Sequence, residues 1–467
     1  MALQNPKRPT DSLALALALS FALAGCTVGK NYERPDMPSP AKYRYVETAQ
    51  AESLADAPWF QVFDDAALQA LIKEALTGNL DIKIAVARVE EARARAGIAK
   101  SYLYPQVDGI ATYNFRIASS SDDDTAHQSA QYGFQLSWEI DLFGRLRRQN
   151  EAAVALMMAS DQARRGVIVT LIGDIASQYF LLRELDYQLQ IAHRTLDLND
   201  QTVTYFRNRL EGGVSNRLEV DRIVALRAQT AASIPELERQ IGLVENAISM
   251  LLGRSPGPVA RAVLQEKEPL PPPIPPGLPA QLLERRPDVA EAEQLLVAAN
   301  ADIGAAKALF YPTISLTSFF GGVSGDLVSF LGGSGGIWSV GSGLFQPIFQ
   351  AGRLRRNVEA MEARFNAAMA GYQKSALNAY REVANALITI QKLAEIRAQQ
   401  EASVAALVDA SDLARSRYDS GLASYIEILT ADDELFRQQL LLAQTRGAEL
   451  RARAELYRTL GGGWKPQ

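Results

Sequence analysis

The sequence contains an internal repeat that spans most of its length. Asp81, in Asn-Leu-Asp, returns 207 residues later as Asp288, in Arg-Pro-Asp. Farther along, the motif Gly-Arg-Leu-Arg-Arg at residues 144–148 returns unchanged at residues 352–356, a spacing of 208. The Leu-Gly pair at residues 252–253 returns at residues 460–461, again at 208. A long repeat at a constant spacing indicates two copies of one structural unit, so we expect two halves with the same order of elements.

Each half contains a long stretch without proline, at residues 145–211 and residues 353–420. In the first stretch, apolar residues recur in alternating steps of three and four, which is typical of helices in left-handed coiled packing. They are Ile168, Leu171, Ile175, Leu182, Leu185, Leu189, Ala192, Leu196, Val203, Phe206 and Leu210. A helix of this length would be on the order of 100 Å long. The sequence therefore predicts a very long helix in each half, followed by a turn and a second long helix.

A different period precedes each long helix. Residues 132–142 alternate strictly between apolar and polar side chains, and residues 106–117 do so more weakly, with a polar loop expected at residues 119–129. In the second half, residues 313–323 and 337–349 form the matching pair. Their length of about ten residues is that of a strand in a membrane barrel, although the signal of each segment is weak. A soluble amphipathic hairpin is the alternative.

Four strands are too few to close a barrel, since single-chain barrels have about eight or more. An open strand edge in lipid would leave backbone groups unpaired at a cost of several kcal/mol each. If the strands enter a membrane, the protein must therefore be an oligomer. The strand count alone permits two copies or three.

The N-terminus has the organisation of a secretion signal. Lys7 and Arg8 precede an apolar run at residues 13–24, which is too short to span a bilayer and is typical of a signal-peptide core. The run leads through Leu-Ala-Gly into Cys26, the single cysteine of the chain, in a pattern similar to a bacterial lipobox. This similarity implies cleavage before Cys26, acylation there, and sorting to the outer membrane through Thr27. An ordinary signal peptide with an incidental cysteine is the alternative.

Several motifs resemble the outer membrane factor family, the TolC-like channels, and in particular its OprM-type lipoprotein branch. Together they cover nearly all of the chain after the signal. They are Cys26 with residues 32–35, then residues 59–60, 63–64, 71–72, 138–145, 282–288, 291–293, 310–316, 347–349 and 460–464.

The resemblance implies a mainly α-helical chain with membrane β-hairpins. Three chains would form a 12-stranded β-barrel in the outer membrane, continued through the periplasm by an α-helical barrel. The function implied is a lipid-anchored exit duct that passively conducts drugs or other small toxic compounds. Its partners would be a periplasmic membrane-fusion adaptor, an inner-membrane pump of the resistance-nodulation-division (RND) type and outer membrane lipid. Energy would come from the pump, so no cofactor is expected apart from the lipid on Cys26.

The repeat, the signal and the resemblance together divide the chain into six segments. These are a signal peptide (1–25), a lipidated and equatorial segment (26–78), repeat 1 (79–253, with a β-hairpin at 106–141), a proline-rich equatorial linker (254–285), repeat 2 (286–461, with a β-hairpin at 313–349) and a C-terminal tail (462–467).

In such channels the periplasmic helix turns close the duct at rest, and here they correspond to residues 209–219 and 417–427. The glycines suit helix C-caps that permit reversal of the chain. One helical turn beyond the second of these connections, the family commonly has an Asp and an Arg. This chain has Thr430 and Asp433 at those positions. We expect Arg417 and Tyr418 to hold the closed tip by pairing with carboxylates of a neighbouring hairpin. The candidate gate residues are Arg209, Gly212, Gly213, Glu219, Asp221, Arg417, Tyr418, Gly421, Tyr425, Glu427, Thr430, Asp432 and Asp433. Inward-facing carboxylates would attract cations, and solvated surface charges are the alternative.

Enzymatic function has little support. Residues 332–336 match Gly-x-Ser-x-Gly, but a hydrolase of that order needs a His after the Ser, and His127 and His193 both precede it. One cysteine cannot supply a disulfide or a zinc site. A net charge of −5 without a basic block gives no support for nucleic-acid binding. The remaining alternative is a lipid-anchored periplasmic coiled-coil scaffold or adaptor without a pore.

The arginines at residues 145–148 and 353–356 directly follow the predicted strands. They could bind anionic headgroups at the rim of the barrel, and a solvated helix face is the alternative.

Overall fold

A computed structural model of the chain describes residues 27–45, 65–120, 123–261, 277, 279–324 and 336–462. In chain order its elements are α1 (Ala66–Gly78), α2 (Leu80–Ser101), β1 (Gln106–Ser120), β2 (Asp123–Ile140), α3 (Arg145–Glu211), α4 (Arg217–Leu251), α5 (Pro279–Arg285), α6 (Pro287–Ala308), β3 (Thr313–Ser324), β4 (Gly336–Phe345), α7 (Arg353–Asp419) and α8 (Tyr425–Thr459). The order of elements in α1 to α4 is repeated in α5 to α8. Cys26, half of the proline-rich linker and most of the Gly-x-Ser-x-Gly match lie outside the described residues.

The two halves repeat one another down to single backbone angles. Gly144 and Gly352, Gly213 and Gly421, and Gly253 and Gly461 all have positive φ, between 71° and 83°. The members of each pair lie 208 residues apart. Positive φ is accessible to glycine without a steric penalty, so these positions fix the same turns in both halves.

The long helices α3 and α7 each have 67 residues, and the helices that follow them, α4 and α8, each have 35. Both long helices coincide with the proline-free stretches of the sequence. Among the described residues, α3 is also long and apolar enough to cross a membrane, but half of its most apolar segment is buried inside the protein. That burial is typical of a core helix.

The strands form one antiparallel sheet in the order β1-β2-β3-β4. The polar loop predicted at residues 119–129 is wrong, because β1 and β2 remain paired as far as Ser120 and Asp123. Backbone pairing continues there although the side chains are polar. The fourth strand ends at Phe345 rather than at residue 349. Pro347 has no N–H to continue a ladder, which accounts for the earlier end.

The chain divides into two compact units. The sheet unit comprises the described parts of residues 1–37, 87–161 and 291–374, and the helical unit comprises those of residues 38–86, 162–290 and 375–467. Within the sheet unit, α3 and α6 pack through small side chains, Ala152 and Ala155 against Ala298 and Ala301. Small side chains allow the two helix backbones to approach closely.

In the helical unit, helix α1 docks on α3 through its N-terminal cap. Asp65 accepts hydrogen bonds from the amides of Ala67 and Leu68 at 2.9 and 3.1 Å, and its other oxygen accepts one from the Tyr179 hydroxyl at 2.7 Å. The carboxylate therefore caps one helix and fixes its position on another. The apolar core beneath includes fully buried Leu68, Ile72, Ile172, Ile175 and Ile248.

Candidate functional site

The two turns between long helices have the same backbone geometry. Gly213 and Gly421 adopt φ of 71° and 73°. The next amide, of Val214 or of Leu422, donates to the carbonyl of Arg209 or of Arg417 at 2.9 or 2.8 Å. This pattern is a Schellman motif, which satisfies the last carbonyls of the helix while the chain reverses. Gly212 precedes Gly213 and has no positive φ.

Beyond the first turn, polar side chains begin helix α4. Asn216 accepts a hydrogen bond from the Glu219 amide at 3.0 Å, and the Ser215 hydroxyl donates to the Glu219 carboxylate at 2.5 Å. The bond to Asn216 satisfies an amide that a helix N-terminus would otherwise leave unpaired, and the bond from Ser215 holds the Glu219 side chain beside the turn. Ser424, at the start of α8, makes no such side-chain cap bond.

An aromatic cluster joins the two helical hairpins of the chain near their turns. The ring of Phe206, on α3, lies 3.9 Å from that of Tyr425 on α8 and 5.8 Å from that of Tyr418 on α7. Phe206 and Tyr425 are almost fully buried. Val203, Val220, Ile223 and Ile428 surround them, so that all four long helices contribute to one small core. We call these residues, with Tyr418, the tip cluster.

Arg209 covers one side of the tip cluster. Its guanidinium lies 5.5 Å from the ring centroids of both Tyr205 and Tyr418, and it donates to the Tyr205 hydroxyl at 2.9 Å. A cation over two aromatic faces is a favourable arrangement. Burial raises the pKa of Tyr418 and of Tyr425. Both phenols therefore stay neutral at physiological pH and act through packing and hydrogen bonds.

The carboxylates beyond the second turn have partners within their own hairpin. Asp432 accepts from the Ser411 hydroxyl at 2.5 Å and from Arg415 at 2.9 Å, which links α8 to α7. Asp433 pairs with Arg437, one turn along the same helix, at 2.7 Å. The Thr430 hydroxyl donates to the carbonyl of Ile426 at 2.9 Å.

The ion pairs at the turns themselves are longer and more exposed. Arg417 lies 3.6 Å from Glu427, and Arg217 lies 3.5 Å from Asp221. These surface pairs contribute little to stability. The structure thus brings Arg209, Tyr418 and Tyr425 together, and places Arg417 on an exposed carboxylate of its own hairpin.

Sequence reasoning misses two contributors to this site. The sequence places Phe206 on the helical seam, without a role at the turn. Arg415 carries no signal of its own, because a basic residue two positions before Arg417 does not differ from other surface arginines. The signal that could have found Phe206 is the concentration of aromatic side chains at residues 205, 206, 418 and 425, close to both turns. Over the described ranges, no three His, Cys, Asp or Glu side chains group as metal ligands.

Comparison with known proteins identifies the family. The model of the outer membrane efflux protein family matches residues 71–254 and 278–462, which correspond to the two repeats. The chain belongs to this family. It is 34% identical over 455 residues to the cation efflux system protein CusC of Escherichia coli O6:H1, covering 97% of this chain and 98% of that protein.

Two further relatives agree with this assignment. The chain is 33% identical over 460 residues to the "Probable outer membrane lipoprotein SilC" of Salmonella typhimurium, covering 96% of this chain and 98% of SilC. The solved structure of the outer-membrane channel OprN superposes with a TM-score of 0.88 at 31% identity, covering 94% of this chain and all of OprN.

These similarities decide between the two functions that the sequence left open, an efflux channel and a scaffold without a pore. The protein is an outer membrane efflux channel whose helical part extends into the periplasm, and it is not a scaffold without a pore. The outer membrane efflux protein family consists of transport channels, which are not enzymes.

Proposed function

We propose that three copies of this outer membrane efflux protein form the exit duct of a tripartite efflux system. The four strands of each chain would contribute to one 12-stranded barrel, and the long helices would continue the duct below it. Drugs or other small toxic compounds would pass through passively. A periplasmic membrane-fusion adaptor and an RND-type inner-membrane pump would be the partners, with the pump supplying the energy.

The proposal rests on the four-stranded sheet, which has one apolar and one mostly polar face and whose outer edges have no strand partner among the described residues. Strand register aligns Phe134, Phe320 and Trp338 side by side across β2, β3 and β4. All three are more than 60% exposed in the isolated chain. A row of large exposed aromatics across a sheet matches the aromatic girdle of outer-membrane barrels.

The two faces of the sheet differ in the manner expected of a barrel wall. The face of the aromatic row also carries Leu136, Trp138, Leu316, Val340 and Leu344. The opposite face is mostly polar or glycine and carries Gln135, Ser137, Glu139, Ser315, Thr317 and Ser339 beside Phe319 and Ile337. Lipid would cover the first face and water the second. The outer edges of β1 and β4 have no strand partner among the described residues. Each needs another copy in a membrane.

The oligomer and the pore can be tested on purified full-length protein. We expect SDS-resistant trimers that dissociate on heating, strand signal in circular dichroism, and discrete conductance steps in planar bilayers. A monomeric protein that fails to conduct ions would contradict the proposal.

We also propose that the mature chain begins at acylated Cys26. The similarity to SilC, which carries the name "Probable outer membrane lipoprotein", supports this assignment. Cells fed labelled palmitate should label the wild-type protein but not the Cys26→Ser variant. Label that persists in Cys26→Ser would place the lipid elsewhere.

For the gate, we propose that the tip cluster and the ion pairs near it hold the helix turns closed at rest. Tyr418, Tyr425 and Arg209 would lock the hairpins of one chain together. Arg417 would act with the carboxylates Glu219, Asp221, Glu427, Asp432 and Asp433 near the axis of the trimer. The packing of Phe206 on Tyr425 supports this role, because the hairpins cannot separate without exposing both rings.

A further inference from the structure

The described N-terminal residues bind a buried arginine at the start of helix α3. We call residues 27–34 the strap. The Arg148 side chain is only 3% exposed. It donates hydrogen bonds to the carbonyls of Val28 and Gly29 at 3.3 and 3.1 Å and to the side-chain oxygen of Asn31 at 2.9 Å. A planar guanidinium with several donors suits such a set of acceptors.

The strap also contacts helix α6, which belongs to the other repeat. The Asn300 amide donates to the carbonyl of Lys30 at 3.1 Å, and Glu293 binds Tyr32 at 3.3 Å and Arg34 at 3.1 Å. At Gly304, a Cβ atom would lie 2.9 Å from the Val28 carbonyl, too close to be accommodated without movement. The strap therefore lies across both repeats, in a groove that needs glycine at residue 304.

One end of the strap lies beside the strands. The Val28 amide donates to the carbonyl of Phe143 at 3.0 Å, shortly after the end of β2. Phe143 stacks on Tyr311, just before β3, with ring centroids 4.7 Å apart. Aromatic side chains are enriched at the membrane–water interface. The first residue of the strap, Thr27, follows the predicted acylation site directly.

The internal repeat provides a control for this groove within the same molecule. Arg356, 208 residues after Arg148, pairs with Glu359 at 2.6 Å, as Arg148 pairs with Glu151 at 2.7 Å. The Arg356 side chain is nevertheless 81% exposed. Gly97, the repeat equivalent of Gly304, has no atom within 4 Å of an added Cβ. Within one chain, the helix start alone does not bury the arginine. Arg148 is buried there by the strap and by helix α6 at Gly304.

We propose that Arg148, Gly304 and Asn300 form a receptor for the segment that follows the acylated cysteine. The receptor fixes the lipid anchor beside the ends of β2 and β3, at the interface level of the barrel, where the acyl chains cover its wall. Arg148 is a positioning residue in this role. The inference rests on the proposed acylation of Cys26, and its test separates the two.

The test is cleavage at the Lys30–Asn31 bond in intact, purified trimers. Endoproteinase Lys-C cuts after lysine, and mass spectrometry of the released fragment reports both the cut and any attached lipid. A protease reaches a bound segment through its open state, so cleavage follows the population of that state. We expect Arg148→Ala and Gly304→Ala to raise the cleavage rate about 10-fold over wild type.

Matched controls come from the other half of the chain. Arg356→Ala removes the same helix-start arginine, and Gly97→Ala makes the same glycine-to-alanine change in a helix; both should be cleaved at the wild-type rate. Arg148→Lys should resemble Arg148→Ala, because an ammonium lacks the fork geometry of a guanidinium. If Arg148→Ala fails to assemble, Gly304→Ala tests the same groove with the guanidinium retained, because the added Cβ would meet the Val28 carbonyl and the Arg148 Nε, each at 2.9 Å.

The experiment distinguishes failure of the receptor from failure of the lipid anchor. Equal cleavage of Gly304→Ala and Gly97→Ala would overturn the receptor, whatever the lipid content. A released fragment without acyl mass would overturn the lipid anchor instead, and the receptor would then hold an unmodified N-terminus.

Discussion

Asn79 donates a hydrogen bond from its side-chain amide to the carbonyl of Leu251 across 2.8 Å. The same side chain accepts one from the Ile82 amide at 3.0 Å, so it caps helix α2 and the end of helix α4 together. Asn79 is buried, and its removal would leave a carbonyl unpaired.

We expect Asn79→Ala to lower the stability of the protein by about 1–2 kcal/mol, through loss of the cap and of the buried bond. The change would be read as a lower thermal midpoint of the helical circular dichroism signal. Thr77→Ala is the control, because the Thr77 hydroxyl bonds only to carbonyls of its own helix at an exposed position. An equal loss in both variants would argue against the cap.

In the second half of the chain, a different residue binds the carbonyl at the end of the last helix. Arg286, 207 residues after Asn79, donates to the carbonyl of Thr459 at 3.0 Å, and Thr459 follows Leu251 by 208. The repeat can be read from the sequence, and with it the order of elements and the lengths of the long helices. The sequence also shows that Arg286 stands where the first half has Asn79. It does not show that both side chains bind the equivalent carbonyl, because only the folded structure reveals that contact.

Other features are hidden from the sequence for physical reasons. The polarity of a segment does not reveal whether its backbone is paired, so the sequence predicts a loop at residues 119–129 where the strands in fact extend. Phe206 is one of the regularly spaced apolar residues of α3, and that spacing does not reveal that its ring packs against Tyr425 and Tyr418. Arg148 and Arg356 occupy identical motifs, yet within one chain Arg148 is buried and Arg356 is exposed, because the strap covers only Arg148.

The ion pairs between α7 and α8 predict a defined pH dependence. Hydrogen bonds from Arg446, and then from Arg397, lower the pKa of the Glu401 carboxyl below its ordinary value. A lowered pKa in the folded state means that the carboxylate stabilises the protein above the pKa of the unfolded chain. This stabilisation is lost as pH falls through the lowered folded value.

Glu401→Gln should therefore destabilise the protein at neutral pH, by about 0.5–1 kcal/mol given the exposure of the group. The difference from wild type should shrink as the pH falls below about 4.5. Thermal midpoints across this range would measure it. Glu395→Gln, which removes a single exposed pair with Lys392, serves as the reference and should change less. A difference between Glu401→Gln and wild type that grows on acidification would mean that the carboxylate does not stabilise the folded state.

The two faces of β4 predict opposite outcomes for the same substitution. Val340 lies on the face of the aromatic row, whereas Ser339 lies on the opposite face. A lysine on the lipid face costs on the order of 2 kcal/mol at depth, and a lysine facing the lumen costs little. Val340→Lys should reduce the yield of SDS-resistant trimers, while Ser339→Lys should assemble normally and alter ion selectivity. Normal assembly of Val340→Lys would mean that this face does not meet lipid.

The tip cluster gives the most direct test of the gate. Replacing both Arg417 and Tyr418 with alanine removes the exposed pair with Glu427 and one wall of the aromatic cluster around Phe206. Because these contacts hold α7 to α3 and α8, their loss should widen the opening at rest. We expect single-channel conductance in planar bilayers to rise roughly twofold or more. Leu422→Ala, at a side chain that is 71% exposed in the same turn, should conduct like wild type. If the double variant also conducts like wild type, Arg417 and Tyr418 have no part in closing the duct, and the tip cluster serves stability alone.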